Sequence, residues 1–140
     1  METINHECYV SLEVAKLLKQ AGFDWRCRAA YRDGVFLNQE NLLYDNYNGK
    51  QYEKSVRHKF FSAPTLEVAQ RWLREVKNIQ IMASPLSGSK NWTPLIAKDF
   101  WLLHEDISGI ALTPENFDTY EEAKETGIKK ALELILEKGK

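Results

Sequence analysis

The strand–helix–strand pattern of residues 58–85 is the feature that most constrains what this 140-residue chain can fold into. An apolar run near its start predicts a short strand over 58–62. Thr65 can cap a helix, and apolar residues at three- and four-residue spacing predict that helix over 66–77. The run IQIMAS then predicts a strand over 79–84, so one face of the helix is expected to pack on a sheet.

Three helix starts share one pattern, a Ser or Thr followed two residues later by Glu. The pentapeptides are SLEVA, TLEVA and TYEEA, and they begin at Ser11, Thr65 and Thr119. The hydroxyl can accept a free backbone N–H, and a first-turn carboxylate favours the positive end of the helix dipole. We interpret the repeats as capped helix starts, the first over 12–21. Glu122 completes a capping box at the last one.

The segment between the first two helices predicts a hairpin followed by irregular chain. The dipeptide Asp33-Gly34 predicts a tight turn between strands near 26–31 and 35–38. The polar, tyrosine-rich residues 39–56 predict either a long loop or an irregular second hairpin.

A further strand is predicted over 92–97, as the second arm of a hairpin with 79–84. Pro94 favours an edge position or a bulge there. Residues 100–104 fit a strand or a helix, since periodicity does not decide between them. The order α-β-β-loop-β-α-β-β-α predicts an α+β fold, with three helices packed on a largely antiparallel sheet.

Length and an ordinary globular composition indicate a single domain over 1–140. A subdivision within it would separate a helix plus hairpin (1–50) from a βαββα unit (58–137). No apolar stretch approaches the roughly 20 residues of a membrane span, so no membrane partner is expected. The polar N-terminus and two cysteines, Cys8 and Cys27, lead us to expect a cytoplasmic protein with reduced thiols.

The net charge of −1 is unevenly distributed. Residues 1–98 contain 14 Lys or Arg and 10 Asp or Glu, whereas residues 99–140 contain 5 and 10. This asymmetry is far from the basic balance of a nucleic-acid-binding domain, so nucleic acid is not an expected partner. Two solvated faces of opposite sign would explain it.

No established catalytic or cofactor motif occurs in the sequence; the P-loop, the dinucleotide fingerprint and the nucleophile elbow are all missing. His6, His58 and His104 lie far apart and no CxxC spacing occurs, so we expect no metal or cofactor. Cys27 has an arginine on either side, which would lower a thiol pKa, but no nearby histidine completes a nucleophilic pair. We therefore predict no catalytic residue.

Two stretches, 25–32 and 44–59, mix cations with aromatic rings. The candidate binding residues within them are Trp25, Arg26, Arg28, Tyr31, Arg32, Tyr47, Lys50, Tyr52, Lys54 and Arg57. This combination is typical of protein interfaces and of sites for nucleotides or single-stranded nucleic acid, and it also occurs on ordinary surfaces. If 25–32 is a strand, alternation would put Tyr31 on the face opposite the arginines.

Three segments together resemble a family of small uncharacterised proteins from phages and prophages of gut anaerobes. They are YVSLEVAKLLKQAGFDWRCRAAY (9–31), SAPTLEVAQRWLREVKNIQI (62–81) and FDTYEEAKETGIKKALELI (117–135). Residues 58–137 are also similar in layout to the phage ABA sandwich domain. The resemblance implies a phage accessory protein that acts inside an infected bacterium, and it assigns no functional residue.

These observations support three hypotheses. The first is a non-enzymatic binding protein of phage origin that uses 25–32 and 44–59 to engage a host or phage protein, such as a component of a defence system. The second is a sequestering protein that holds a small nucleotide in a pocket formed by a homo-oligomer. The third, an enzyme that acts on nucleotides or nucleic acid, has no catalytic constellation to support it.

Overall fold

The computed structural model has an α+β fold with antiparallel strand pairing, as the sequence predicts. It describes residues 8–38, 44–54, 57–85, 91–98, 101–102 and 117–138. The chain divides into two compact units, Met1–Thr65 and Leu66–Lys140. Each unit has a three-stranded antiparallel sheet and its own helices. The single domain over 1–140 stays a prediction.

The N-terminal unit combines two helices with three short strands. Its elements are α1 (Leu12–Ala21), β1 (Ala30–Arg32), β2 (Val35–Leu37), α2 (Lys50–Glu53) and β3 (Phe60–Ser62). Helix α1 begins after Ser11, whose hydroxyl accepts the Val14 N–H at 3.3 Å. It ends at Gly22, which has the left-handed φ of 98° that glycine adopts without strain. Its buried face includes Val14, Ala15 and Leu18.

The predicted hairpin forms, but its first strand is shorter than expected. Asp33 and Gly34 both have positive φ, 51° and 85°, as a two-residue hairpin turn requires. Strand β1 begins at Ala30 and not near residue 26, because Cys27 pairs with Asp45 outside the hairpin. The described part of the 39–56 segment, 44–54, contains a turn and α2, and no second hairpin forms within it.

Strand β3 belongs to the N-terminal sheet, whose order is β2-β1-β3. The prediction that placed it with the C-terminal strands in a 58–137 unit is therefore corrected. Backbone hydrogen bonds fix the pairing: the Asp33 N–H donates to the Lys59 carbonyl at 2.9 Å, and the Ala63 N–H to the Ala29 carbonyl at 3.0 Å. An antiparallel neighbour separated by a long connection cannot be assigned from local sequence.

The C-terminal unit places two helices with a sheet of order β4-β5-β6. Its elements are α3 (Leu66–Lys77), β4 (Ile79–Pro85), β5 (Trp92–Lys98), β6 (Trp101–Leu102) and α4 (Tyr120–Lys138). The predicted hairpin of β4 and β5 is confirmed, and Ile81 pairs with Ile96 in it. Among the described residues, strand β6 pairs with β5 at Ala97 and Lys98. Pro94 therefore lies where the described part of β5 is paired on one side, as its missing N–H requires.

Helix α4 begins with the predicted Thr119 hydroxyl cap, although the Glu122 carboxylate contacts that hydroxyl where a capping box would have it accept the Thr119 N–H. The helix packs closely on the sheet. The Glu122 N–H donates to the Thr119 hydroxyl at 3.1 Å, and that hydroxyl contacts the Glu122 carboxylate at 3.1 Å. A Cβ at Gly127 would lie 2.9 Å from Ile81 Cγ2 and 3.1 Å from Pro94 Cβ. Glycine therefore permits the close approach of α4 to β4 and β5.

We expect Gly127→Ala to lower the free energy of unfolding by about 1–3 kcal/mol, because the added methyl overpacks a closed core. The higher helix propensity of alanine, worth about 1 kcal/mol, acts in the opposite direction and is outweighed. Urea unfolding followed by circular dichroism measures the difference.

The matched control is Glu133→Ala, at an exposed position of the same helix, which should change the stability by less than about 0.5 kcal/mol. A Gly127→Ala protein as stable as the wild type would contradict the close packing of α4.

Candidate functional site

A short backbone bridge joins the two cation–aromatic stretches of the sequence. The Cys27 N–H donates to the Asp45 carbonyl at 2.8 Å, and the Asp45 N–H donates to the Cys27 carbonyl at 3.0 Å. Two stretches that are separate in the chain, 25–32 and 44–59, therefore lie side by side at this point. The sequence contains no signal for this pairing, because it is long-range and involves one residue pair.

The bridge brings two arginines beside an exposed tyrosine. Arg26 and Arg28 are exposed on either side of the buried Cys27. The Arg28 guanidinium lies over the Tyr44 ring, 5.0 Å from its centroid. Tyr44 is 54% exposed, so its ring is accessible to solvent.

Asp45 holds a fixed negative charge next to these cations. Its Oδ2 accepts the Tyr52 hydroxyl at 2.8 Å and the Gln51 amide at 3.2 Å, and its Oδ1 accepts the Asn46 N–H at 2.7 Å. The Tyr52 hydrogen bond is the largest cause that holds the pKa of Asp45 below its usual value, and the charge of Arg26 acts in the same direction. The bridge surface is defined here as Arg26, Arg28, Tyr44, Asp45 and Tyr52.

Tyr52 is the donor that fixes the Asp45 carboxylate, and it stays neutral. Burial raises the pKa of Tyr52 to about 12, and its hydrogen bond to Asp45 and the charge of that carboxylate act in the same direction. The Tyr52 ring lies edge-on to Phe60, with centroids 5.0 Å apart. Tyr52 therefore connects the bridge surface to the aromatic side chains of the unit.

Tyr47 belongs to the core of the N-terminal unit, although the sequence placed it among the candidate binding residues. It is 2% exposed, and its ring lies 4.8 Å from that of Tyr52 and 6.1 Å from that of Phe60. Its backbone N–H donates to the hydroxyl of the buried Ser62 at 2.9 Å. A partner protein could not reach this ring without unfolding the segment around it.

The side chains of Tyr31 and Trp25 also pack against neighbouring aromatic rings. The Tyr31 hydroxyl donates to the Val10 carbonyl at 2.8 Å, and its ring lies 5.4 Å from that of Phe36. Alternation along β1 puts Tyr31 on the face opposite the exposed Arg32. Trp25 is half-buried, and its ring lies 6.3 Å from that of Phe23.

The remaining candidate cations are exposed. Lys50 belongs to α2, Lys54 caps its C-terminal end, and Arg57 follows in the chain. Arg32 ends β1, next to the hairpin turn. Of the ten candidates, Arg26, Arg28 and Tyr52 contribute to the bridge surface.

An exposed Asp33–His58 contact at the hairpin turn was not found by sequence reasoning. Asp33 Oδ2 lies 2.6 Å from His58 Nδ1, and Asp33 Oδ1 accepts the Lys59 N–H at 2.9 Å. The Lys59 hydrogen bond first, and His58 next, hold the pKa of Asp33 below its usual value. The sequence predicts Asp33 as a turn residue alone, because its pairing with His58, 25 positions away, leaves no local pattern.

Cys27 is not a reactive thiolate despite its neighbouring arginines. Burial raises the pKa of the Cys27 thiol to about 12, and a hydrogen bond from Ser62 opposes this only in part. Among the described residues, no group of three or more His, Cys, Asp or Glu side chains could hold a metal ion. Two of the histidines considered above, His6 and His104, lie outside those residues.

The C-terminal unit contains a buried lysine that sequence reasoning also missed. Lys124 has a 2% exposed side chain, and its Nζ donates to Glu67 Oε1 at 2.9 Å and to the Tyr120 hydroxyl at 3.2 Å. These contacts connect α3 to α4. Because the ammonium has both an anionic and a neutral acceptor, we assign Lys124 a structural role.

Comparison with protein families, curated proteins and solved structures finds no match for this chain. No helix of the described residues is long and apolar enough to cross a membrane. The α+β fold is therefore the class of protein that the structure defines, and the resemblance to phage proteins stays a prediction.

We expect Tyr52→Phe to raise the pKa of Asp45 toward its ordinary value of 3.8, because the largest cause of the lowering is removed. A carboxyl with a lowered folded pKa contributes stability above its unfolded pKa, and this contribution is lost as the pH falls through the folded value. The variant should therefore lose part of this stability at neutral pH. An NMR titration of the Asp45 carboxyl carbon measures the pKa.

Tyr44→Phe is the control, since the Tyr44 ring lies at Arg28 and its hydroxyl is not a partner of Asp45 among the described contacts. An equal pKa of Asp45 in Tyr52→Phe and wild type would mean that the hydrogen bond does not form.

Proposed function

We propose that this chain is a non-enzymatic protein-binding module that engages its partner through the bridge surface. The observation that carries the proposal is the Cys27–Asp45 backbone bridge, which joins two separate cation–aromatic stretches into one surface. Arginine and tyrosine are over-represented among the residues that dominate binding energy at protein interfaces.

The surface is held in place before any partner arrives. Besides the bridge, the Tyr47 N–H donates to the Ser62 hydroxyl, and the Ser62 N–H donates to Asn48 Oδ1 at 3.0 Å. The Asn48 amide in turn donates to the Phe23 carbonyl at 2.9 Å. A preorganised segment costs less conformational entropy on binding, which favours recognition by these residues.

The charges of the two stretches favour a partner with an acidic surface. Residues 25–32 and 44–59 together contain seven Lys or Arg and two Asp or Glu. The anion Asp45 lies within this surface and is fixed by three hydrogen bonds. A surface with both signs suits a protein, whose own surface has both signs, better than a uniformly anionic nucleic acid.

The resemblance to phage and prophage proteins supports a role as a phage accessory protein. Its partner would then be a host protein in the cytoplasm of the infected bacterium, and components of defence systems are candidates. The alternative, sequestration of a small nucleotide by a homo-oligomer, predicts a small molecule that stays bound during purification.

The test is capture of a partner from host lysate by the tagged protein. Wild type should recover one protein in stoichiometric amount, and Arg26→Ala/Arg28→Ala should weaken this binding about tenfold or more, because two exposed interface arginines are lost. Higher ionic strength should weaken the wild-type complex as well.

The control is Arg71→Ala/Arg74→Ala, which removes the same charge from exposed positions of α3. It should bind as the wild type does, since an exposed pair such as Arg71–Glu75 adds little stability. Equal capture by the Arg26→Ala/Arg28→Ala protein, with an unchanged melting temperature, would refute the placement of the surface. A nucleotide seen in native mass spectra would instead favour sequestration.

A further inference from the structure

The outer edge of strand β4 has a defined set of backbone groups. The Trp92 N–H donates to the Phe117 carbonyl at 2.8 Å, and the Phe117 N–H donates to the Trp92 carbonyl at 3.0 Å. Trp92 therefore directs its backbone groups away from β4, and its pair with Pro85 is a non-hydrogen-bonded one. Such pairs alternate along an antiparallel ladder, so Ile81, Ala83 and Pro85 direct their backbone groups away from β5.

Most of these outward groups are available to another strand. The Ile81 carbonyl accepts the side-chain amide of Gln70, and Pro85 has no N–H. Within the described ranges, the Ile81 N–H and both backbone groups of Ala83 form no hydrogen bond. The Ser84 hydroxyl contacts the Pro85 carbonyl at 3.5 Å, which is longer than an ordinary O–H···O hydrogen bond. The edge thus presents two donors and two acceptors.

Strand β4 is weakly protected against the addition of a strand. Edge strands are commonly protected by charged side chains, bulges or proline, but the strand sequence IQIMASP contains no charged residue. Its register with β5 runs without a bulge from Ile79 to Pro85. Pro85 is the last residue of the strand and removes one donor only. An uncharged strand can therefore pair with this edge.

We propose that two copies of this chain form a dimer by antiparallel pairing of their β4 strands, with Ala83 of one copy opposite Ala83 of the other. Each Ala83 N–H then donates to the Ala83 carbonyl of the other copy, and each Ile81 N–H donates to the other Pro85 carbonyl. The Ile81 carbonyl faces the proline nitrogen of the second copy, which has no hydrogen to donate. Gln70 supplies the donor that this carbonyl needs.

The arrangement of donors and acceptors selects a second copy and one register. A shift that places Ala83 opposite Pro85 would leave the Ala83 carbonyl facing a nitrogen without a hydrogen. The opposite shift, with Ala83 opposite Ile81, would direct the Ala83 N–H at a carbonyl that Gln70 already holds. The proposed register leaves none of the available groups unpaired, and it is self-complementary, as a two-fold dimer requires.

The side chains on the outer face of β4 are compatible with this dimer. Met82 would lie opposite Ser84 of the second copy and diagonal to its Met82, about 7–8 Å away and within reach of long side chains. Met82 is 42% exposed in the single chain, so its apolar surface would be partly covered. No residue of the bridge surface takes part, and the inference is independent of the proposed function.

The test is analytical ultracentrifugation of the full-length protein over a range of concentrations. The wild type should dimerise, and Ala83→Pro should raise the dimer dissociation constant about tenfold or more, because each copy loses one donor. The Ala83 N–H does not pair with β5, so the circular dichroism spectrum of this variant should be that of the wild type.

Met82→Lys is a second variant that leaves the backbone unchanged, and it decides the question if Ala83→Pro does not fold. It should also weaken the dimer, because it places two lysines diagonal to each other across the interface. The matched control is Val35→Lys, which adds the same charge at an exposed apolar residue of β2 in the N-terminal unit. The control should dimerise as the wild type does.

The register is tested with Met82→Cys and Ser84→Cys, each combined with Cys8→Ser to remove the exposed native thiol. These positions form a non-hydrogen-bonded pair across the proposed interface, with Cα atoms about 4.5 Å apart, which suits a disulfide. Two copies of Met82 lie too far apart for this bond. Under mild oxidation, a mixture of the two proteins should therefore form more disulfide-linked dimer than either protein alone.

The results that would overturn the inference are distinct. They are a monomer at every concentration, a dimer that neither Ala83→Pro nor Met82→Lys weakens, and cross-linking of one protein alone that equals that of the mixture. A monomeric wild type whose capture of a lysate protein is lost in Ala83→Pro would assign the edge to a strand of another protein and refute the second copy.

Discussion

The N-terminal unit depends on how the segment 44–48 is tied to the rest of the chain. Two backbone hydrogen bonds connect Asp45 to Cys27, and the side chains of Asn48 and Ser62 satisfy further buried backbone groups. A buried polar group without a partner would cost about 1–3 kcal/mol, so each of these bonds constrains the path of the chain. Packing of Tyr47 on Phe60 then closes the core beneath the bridge surface.

The need of buried polar groups for partners also shapes the C-terminal unit, where the buried group is Lys124. Lys124 lies on the buried side of α4 and is satisfied by Glu67 of α3 and the Tyr120 hydroxyl. A buried cation of this kind is a structural connection between helices, since removal of its anionic partner would leave a charge without compensation. Ser62 and Lys124, the buried polar residues of the described part of the chain, both have partners within the fold, which leaves the exposed arginines of the N-terminal unit as the better functional candidates.

Local patterns in the sequence were sufficient for the three longer helices and for the Asp33-Gly34 turn, but not for the short helix α2. The bounds of α1 and α3 are as predicted, since apolar spacing, and for α1 the Ser11 cap, are signals from neighbours within one or two turns of helix. The pairing of β3 with β1, and of Cys27 with Asp45, depends on chain segments far apart and leaves no local trace. The sequence shows that 44–59 is rich in tyrosine, but it does not show that Tyr47 is buried and Tyr44 is exposed.

In the proposed function, the position of Asp45 makes the bridge surface selective. Without this carboxylate, the arginines would attract any anion, and affinity would follow the charge of the ligand alone. The Tyr52 hydroxyl holds the carboxylate in place, so the surface has a fixed negative charge on the residue that pairs with Cys27, the neighbour of Arg26. The Asp45 charge weakens the binding of polyanions to the surface. It weakens binding less when the ligand has a neutral or basic group next to Asp45. The proposed recognition of one protein among many would require such a weaker but more discriminating surface.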